Sequence, residues 1–114
     1  MGLKYVSRDE LQRRLGEVVL IEALPTPHYE LEHLPTAVNL PGVPTAEAAA
    51  ALIPDPTSPV VVYCSGLSCT RSRATAIGLQ KLGYTDVAVY EGGKADWTEN
   101  GLQLETAASP SHSK

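Results

Sequence analysis

Three short runs in this chain are apolar at nearly every position rather than at alternate ones, and that restricts the folds open to it. They are VVLIEAL (18–24), VVVY (60–63) and the VAVY of DVAVY (86–90), all rich in β-branched residues. A strand with one face in water alternates apolar and polar side chains, so a continuous run reads as a strand covered on both faces. Pro25 ends the first run, and Pro59 stands just ahead of the second.

The segments between these runs carry helix signals. Ser7 followed three residues later by Glu10 forms a capping box, with Leu11 and Leu15 as a sparse apolar stripe before Gly16. TAEAAAALI (45–53) places strong helix formers behind Thr45 as N-cap, and the prolines at 54, 56 and 59 stop it. From about Ser72 to Leu82, the residues Ala74, Ile77, Gly78 and Leu82 fall near one apolar face, with Lys81 in the last turn and Gly83 as the stop. AVNLP (37–41) reads as a further short strand. Strands alternating with helices need crossover connections, so the fold class is α/β, with a mainly parallel central sheet flanked by helices on both faces.

A chain of 114 residues supports one core and not two. The domain is expected to span 1–105. The remainder, TAASPSHSK (106–114), is small and polar and is expected to be a disordered tail. The formal net charge is −4, and the basic residues cluster only in Arg13-Arg14 and around Arg71 and Arg73. That pattern gives no footprint for nucleic acid and none for an anionic membrane. The opening MGLKYVSRDE has neither the apolar core of a signal peptide nor a membrane span, so a cytoplasmic location is expected. Two closely spaced cysteines make a poor disulfide framework. Their value is expected to lie in reactivity.

Cys64 ends the second apolar run, and SGLSCTR (65–71) follows it into a predicted helix. In open parallel sheets, ligands bind at the carboxyl ends of the strands. The first amides of the following helix lack partners within it and favour an anion, such as a thiolate. Stabilising that charge is expected to lower the pKa of Cys64 below its ordinary value, and the thiolate is the nucleophile. Gly66 is expected to let the loop curl into a nest, and Arg71 to add a fixed charge and a forked donor for an anionic substrate. The plainer alternative is an inert buried thiol closing a core strand.

Three ordered segments carry a likeness to a known family. VVVYC with its glycine-containing loop and RSRATAIGLQKLGY, then VAVYEGGKADW, and upstream LEHLPTAVNLPG, together resemble the single-domain rhodaneses, the thiosulfate sulfurtransferase-like family. The likeness runs from about Lys4 to Leu104. It implies a rhodanese-like sheet of about five strands and a sulfurtransferase reaction. Cys64 takes a sulfane sulfur from a donor such as thiosulfate, becomes a persulfide, and passes the sulfur to a thiophilic acceptor. Ser65, Gly66, Leu67, Ser68, Cys69, Thr70 and Arg71 form the substrate-binding loop, whose amides hold the outer sulfur's charge. The implied partners are a small sulfur-donor anion and a cyanide or thiol acceptor, including a protein thiol. No cofactor and no metal is implied.

The sequence departs from the family pattern at two places. The arginine of the loop usually follows as Cys-x4-Arg, whereas six residues separate Cys64 from Arg71. The longer loop brings in Cys69, for which a resolving role, closing a disulfide with Cys64, is one hypothesis and simple packing the other. Asp-Val-Arg after the first core strand is replaced by Glu22-Ala23-Leu24, so a carboxylate is kept and the arginine lost. The alternatives to an enzyme are a non-catalytic regulatory or redox-sensing module and, more remotely, an arsenate reductase or phosphatase-like oxyanion site. Against the last, Tyr63 stands where those enzymes place His, and Cys-x5-Arg is not met.

The histidines, His28, His33 and His112, have no zinc spacing with the two cysteines, so no metal site is expected. His33 matches the family's loop histidine and is expected to hydrogen-bond structurally. Gly92-Gly93 is read as a tight strand-to-helix turn and Trp97 as a core residue.

Overall fold

The computed structural model describes residues 2–106. The tail expected at 106–114 therefore lies outside the described residues except for Thr106. In chain order the elements are β1 (Lys4–Tyr5), α1 (Arg8–Arg14), β2 (Val19–Glu22), α2 (Thr26–Leu31), β3 (Val38–Asn39), α3 (Ala46–Leu52), β4 (Val60–Tyr63), α4 (Arg71–Lys81), β5 (Val87–Tyr90) and α5 (Gly93–Glu99). The five strands form one parallel sheet in the order β1-β5-β4-β2-β3. The three uniformly apolar runs are its three central strands.

Alternation along those strands divides the core in two. On one face, Val60 and Val62 of β4 join Ile21, Val87 and Val89 beneath Ala49 and Ile53 of the α3 region and Ala76 and Leu79 of α4. On the other, Val61 and Tyr63 join Leu20 and Tyr90 against Leu11 of α1 and Trp97 of α5. Each sheet face thus has its own apolar cover, which a buried parallel sheet needs.

The predicted caps are in place. Ser7 Oγ accepts from the Glu10 amide at 3.1 Å and Thr45 Oγ1 from the Ala48 amide at 3.1 Å. Two elements escaped the sequence reading. β1 is only two residues long and mostly exposed, and α2 buries no residue, so neither leaves a hydrophobic period to detect.

The buried face of α4 also differs from expectation. Ser72, Thr75, Ala76 and Leu79 face the sheet, while Ala74, Ile77 and Leu82 are exposed. Small residues let the helix lie close to its neighbours, and the Thr75 hydroxyl donates to the Gly42 carbonyl at 2.6 Å. Gly78 lies against Pro44, where an added Cβ would come within 2.6 Å of the ring. Steric fit, and not hydropathy, selected this face. No helix among the described residues is long and apolar enough to cross a membrane.

Candidate active site

β4 ends at Tyr63, and Cys64 follows at the carboxyl edge of the sheet, where β2, β4 and β5 present Glu22, Tyr63 and Tyr90 in register. Cys64 is 2% exposed, whereas Cys69 is half-buried. The loop between them turns through a hydrogen bond from the Cys69 amide to the Gly66 carbonyl at 3.1 Å. Ser65, Leu67, Ser68 and Thr70 are exposed. Both cysteines are free thiols, and each bears on the ionisation of the other.

α4 begins immediately after this loop. Its N-cap, Thr70, makes no side-chain capping bond, so the first amides of the helix are left for other acceptors. They go to sulfur. The Ser72 amide and hydroxyl face Cys64, with Ser72 Oγ 3.4 Å from Cys64 Sγ. The Arg71 amide, with the amide and hydroxyl of Ser65, faces Cys69.

This division of donors reverses the expectation for Cys64. Burial pushes the Cys64 thiol up, and the hydrogen bond and charge of Cys69 add to that, outweighing the two bonds from Ser72. Burial also opposes ionisation of Cys69, but there the bonds from Cys64, Arg71 and Ser65 prevail and its pKa falls. The helix start does favour a thiolate, as the sequence suggested, yet it is the second cysteine whose ionisation is eased. The deeper sulfur has lost most of its water, and the groups of Ser72 do not offset that loss.

Two further loop residues singled out in the sequence take the following positions. Gly66 does not adopt a left-handed conformation; its bare Cα makes room for α5, since an added Cβ would stand 3.3 Å from Ala95 Cβ. Arg71 is exposed and, among the described residues, its guanidinium takes part in no ion pair. It contributes its amide to the site. Arg73, one turn face away, pairs with Glu91 at 3.7 Å.

The other wall of the site is α5. Lys94 and Ala95 donate their amides to the carbonyls of Cys64 and Ser65 at 3.0 and 2.9 Å. The approach is close enough that a Cβ on Gly93, which has φ of 61°, would lie 2.3 Å from the Cys64 carbonyl oxygen. Gly92-Gly93 is therefore a docking contact as well as a turn. A groove of about 800 Å³ opens beside it, lined by Ser65–Ser68 of the loop and by Arg8, Tyr90 and Asp96.

Lys94 was not singled out in the sequence. Its Nζ donates to the His28 carbonyl at 3.1 Å and stands 3.0 Å from Glu22 Oε2, in an alignment that is an ion pair without being a hydrogen bond. Glu22 is fully buried, and its Oε1 accepts from the Tyr63 hydroxyl at 2.7 Å. That hydroxyl in turn accepts from the Leu34 amide at 3.0 Å. Burial and the neighbouring carboxylate hold Tyr63 protonated far above the usual tyrosine range. A carboxylate within an apolar run signals that some partner must exist. Which residue serves is decided by the packing of α5.

The remaining residues have structural settings. His33 stacks on Tyr29 with ring centres 4.1 Å apart, and its Nδ1 contacts the Tyr29 carbonyl at 2.8 Å. Trp97 is 2% exposed and donates from Nε1 to the Gln103 carbonyl. Among the described residues, no cluster of His, Cys, Asp and Glu has the arrangement to hold a metal.

Comparison with known proteins identifies the architecture. The family model described as "Rhodanese-like domain" matches residues 7–100. Over 109 residues the chain is 30% identical to the HTH-type transcriptional regulator Rv0324 of Mycobacterium tuberculosis, covering 94% of this chain and 47% of the regulator. The crystal structure of a thiosulfate sulfurtransferase from Pseudomonas aeruginosa superposes with a TM-score of 0.74 at 30% identity, over 95% of this chain and 21% of that one. The human single-domain sulfurtransferase TSTD1 shares the fold at single-domain scale, with a TM-score of 0.71 at 24% identity, over 86% of this chain and 97% of that one. The chain thus spans about half of the regulator's length and about a fifth of the Pseudomonas protein's.

Proposed function

Because the chain belongs to the rhodanese-like domain family, we propose that it is a sulfurtransferase that carries sulfane sulfur on Cys64. The observation behind this reading is the placement of that thiol. Cys64 closes the central strand of a parallel sheet, bonded to Ser72 in the first turn of α4 and beside a second thiol that ionises more readily.

Cys69, the more readily ionised of the two, is the base that takes the Cys64 proton, and the negative charge moves onto Cys64 when a donor arrives. The Cys64 thiolate attacks the outer sulfur of thiosulfate; the new S–S bond forms as the old one breaks, and sulfite leaves with the electron pair. In the second half, cyanide or a thiolate attacks the outer sulfur of the persulfide, and Cys64 is released as a thiolate. Amides of the Ser65–Thr70 loop and of Arg71 and Ser72 hold the charge in both halves. The burial of Cys64 means that the loop must shift to admit a donor, and Leu67, at 74% exposed, has little to hold it in place.

The test is formation of thiocyanate from thiosulfate and cyanide, together with the mass of Cys64 peptides after donor treatment. We expect turnover and a gain of one sulfur atom on Cys64, both abolished by Cys64→Ser. Failure of Cys64 to gain sulfur from thiosulfate, polysulfide and persulfide donors alike removes this reading.

A second reading is supported by the likeness to a transcriptional regulator. In it the domain loads sulfur, or is oxidised, as a signal and does not turn over. Loading without thiocyanate formation would select it. Either role suits a reducing, cytoplasmic setting, where both thiols stay free.

A further inference from the structure

The proposed transfer uses Cys64 and leaves Cys69 as a proton acceptor. The arrangement of the two thiols suggests more. Cys69 follows Cys64 on a short loop turned by the bond from its own amide to the Gly66 carbonyl, close enough for each thiol to shift the ionisation of the other; it is the more exposed of the two, and the Ser65 and Arg71 amides are directed at it. We infer that Cys69 is a second nucleophile, which discharges the Cys64 persulfide as hydrosulfide and leaves a Cys64–Cys69 disulfide. The inference rests on sulfur loading of Cys64 as proposed above.

The step balances without an outside oxidant. The Cys69 thiolate attacks Cys64 Sγ, the bond from Sγ to the outer sulfur breaks, and that sulfur departs with the electron pair, taking a proton from solvent to leave as hydrosulfide. The sulfane sulfur is reduced, and the two cysteine sulfurs are oxidised to a disulfide. A dithiol reductant then returns the pair to the thiol state in two exchange steps.

Three features suit the pair to this chemistry. A lowered Cys69 pKa makes its thiolate more available than that of an ordinary cysteine, and the thiolate is the form that attacks a sulfur–sulfur bond. The low exposure of Cys64 keeps competing thiols from its inner sulfur, while Cys69 is already beside it. Only four residues, Ser65 to Ser68, separate the two, so the disulfide closes a small ring that adds little stability and stays reducible.

The experiment uses the whole chain. The reduced protein, freed of excess reductant, receives one equivalent of thiosulfate, whose leaving group is sulfite and not hydrosulfide, and no acceptor. Hydrosulfide is measured over time, and the disulfide is mapped by mass spectrometry of peptides. The expected result is up to one equivalent of hydrosulfide released together with a Cys64–Cys69 linkage, and renewed release after a dithiol is added with fresh donor. In Cys69→Ser the persulfide on Cys64 is expected to persist at least tenfold longer.

A stable Cys64 persulfide in the unmodified chain, with no intramolecular linkage, overturns the inference and leaves sulfur transfer standing. A disulfide linking two chains, with none inside a chain, overturns it as well. If Cys64 gains no sulfur in either protein, the functional reading fails first and the inference falls with it. The measurement on the unmodified chain decides the matter even if the serine variant folds poorly.

Discussion

Glu22 and Lys94 show at the scale of single residues how an otherwise costly group comes to be retained. A carboxylate with no exposed surface needs compensation, and Tyr63 and Lys94 supply it from β4 and α5. Removing the cation leaves the charge behind. Lys94→Met is expected to lower the unfolding free energy by about 3–5 kcal/mol, read from urea denaturation, with Glu22→Gln in the same chain restoring part of the loss. A cost below about 1 kcal/mol would mean that the pair behaves as an exposed one. The two thiols offer a second test at this scale. A lowered pKa makes thiolate available at lower pH and a raised one delays it. Iodoacetamide labelling across a pH series should therefore modify Cys69 first and Cys64 only at more alkaline pH. The reverse order would make Cys64 the more acidic of the two.

At the scale of elements, the site is the joint between the end of β4, the start of α4 and the start of α5. α4 leaves its N-terminal amides uncapped and gives them to sulfur. α5 fixes the backbone on the opposite side through the Cys64 and Ser65 carbonyls. Arg8 of α1, Tyr90 of β5 and Asp96 of α5 tie the same corner together, since both the tyrosine hydroxyl and the guanidinium donate to that carboxylate. Gly93 is the point of closest approach. Gly93→Ala meets both a left-handed backbone and a carbonyl oxygen 2.3 Å away, so α5 must lift from the loop. The expected outcome is a loss of about 1–3 kcal/mol in thermal or urea unfolding and slower sulfur loading of Cys64. Unchanged loading with reduced stability would separate α5 from the function of the loop.

At the scale of the whole molecule, the core is completed by residues that the chain supplies late. Leu102 and Leu104 pack into the core on the α1–α5 face, and Gln103 accepts from Trp97. Glu105 exchanges backbone hydrogen bonds with His33 at 2.7 and 2.8 Å. A chain ending after Glu105 is expected to keep its fold. One ending after Gly101 loses these contacts and should be less stable by about 2–4 kcal/mol, from lost apolar burial and hydrogen bonds. Equal melting temperatures for the two would place the domain boundary earlier than residue 105.

The fold class and the three central strands were determined by the sequence alone, because apolar runs buried on both faces admit few architectures and the capping residues Ser7 and Thr45 act locally. Cys64 at a strand end was equally legible, since a thiol after VVVY has a position dictated by the strand. Three matters were decided only in three dimensions. The buried face of α4 follows from steric fit to Pro44 and Gly42, which lie some 30 residues away in the chain. The partner of Glu22 comes from a helix more than 70 residues later. The division of charge between Cys64 and Cys69 depends on which amide points at which sulfur and on how much water each has lost. Local pattern specifies what is local; burial and electrostatic pairing are properties of the packed chain, set by distances that no stretch of sequence contains.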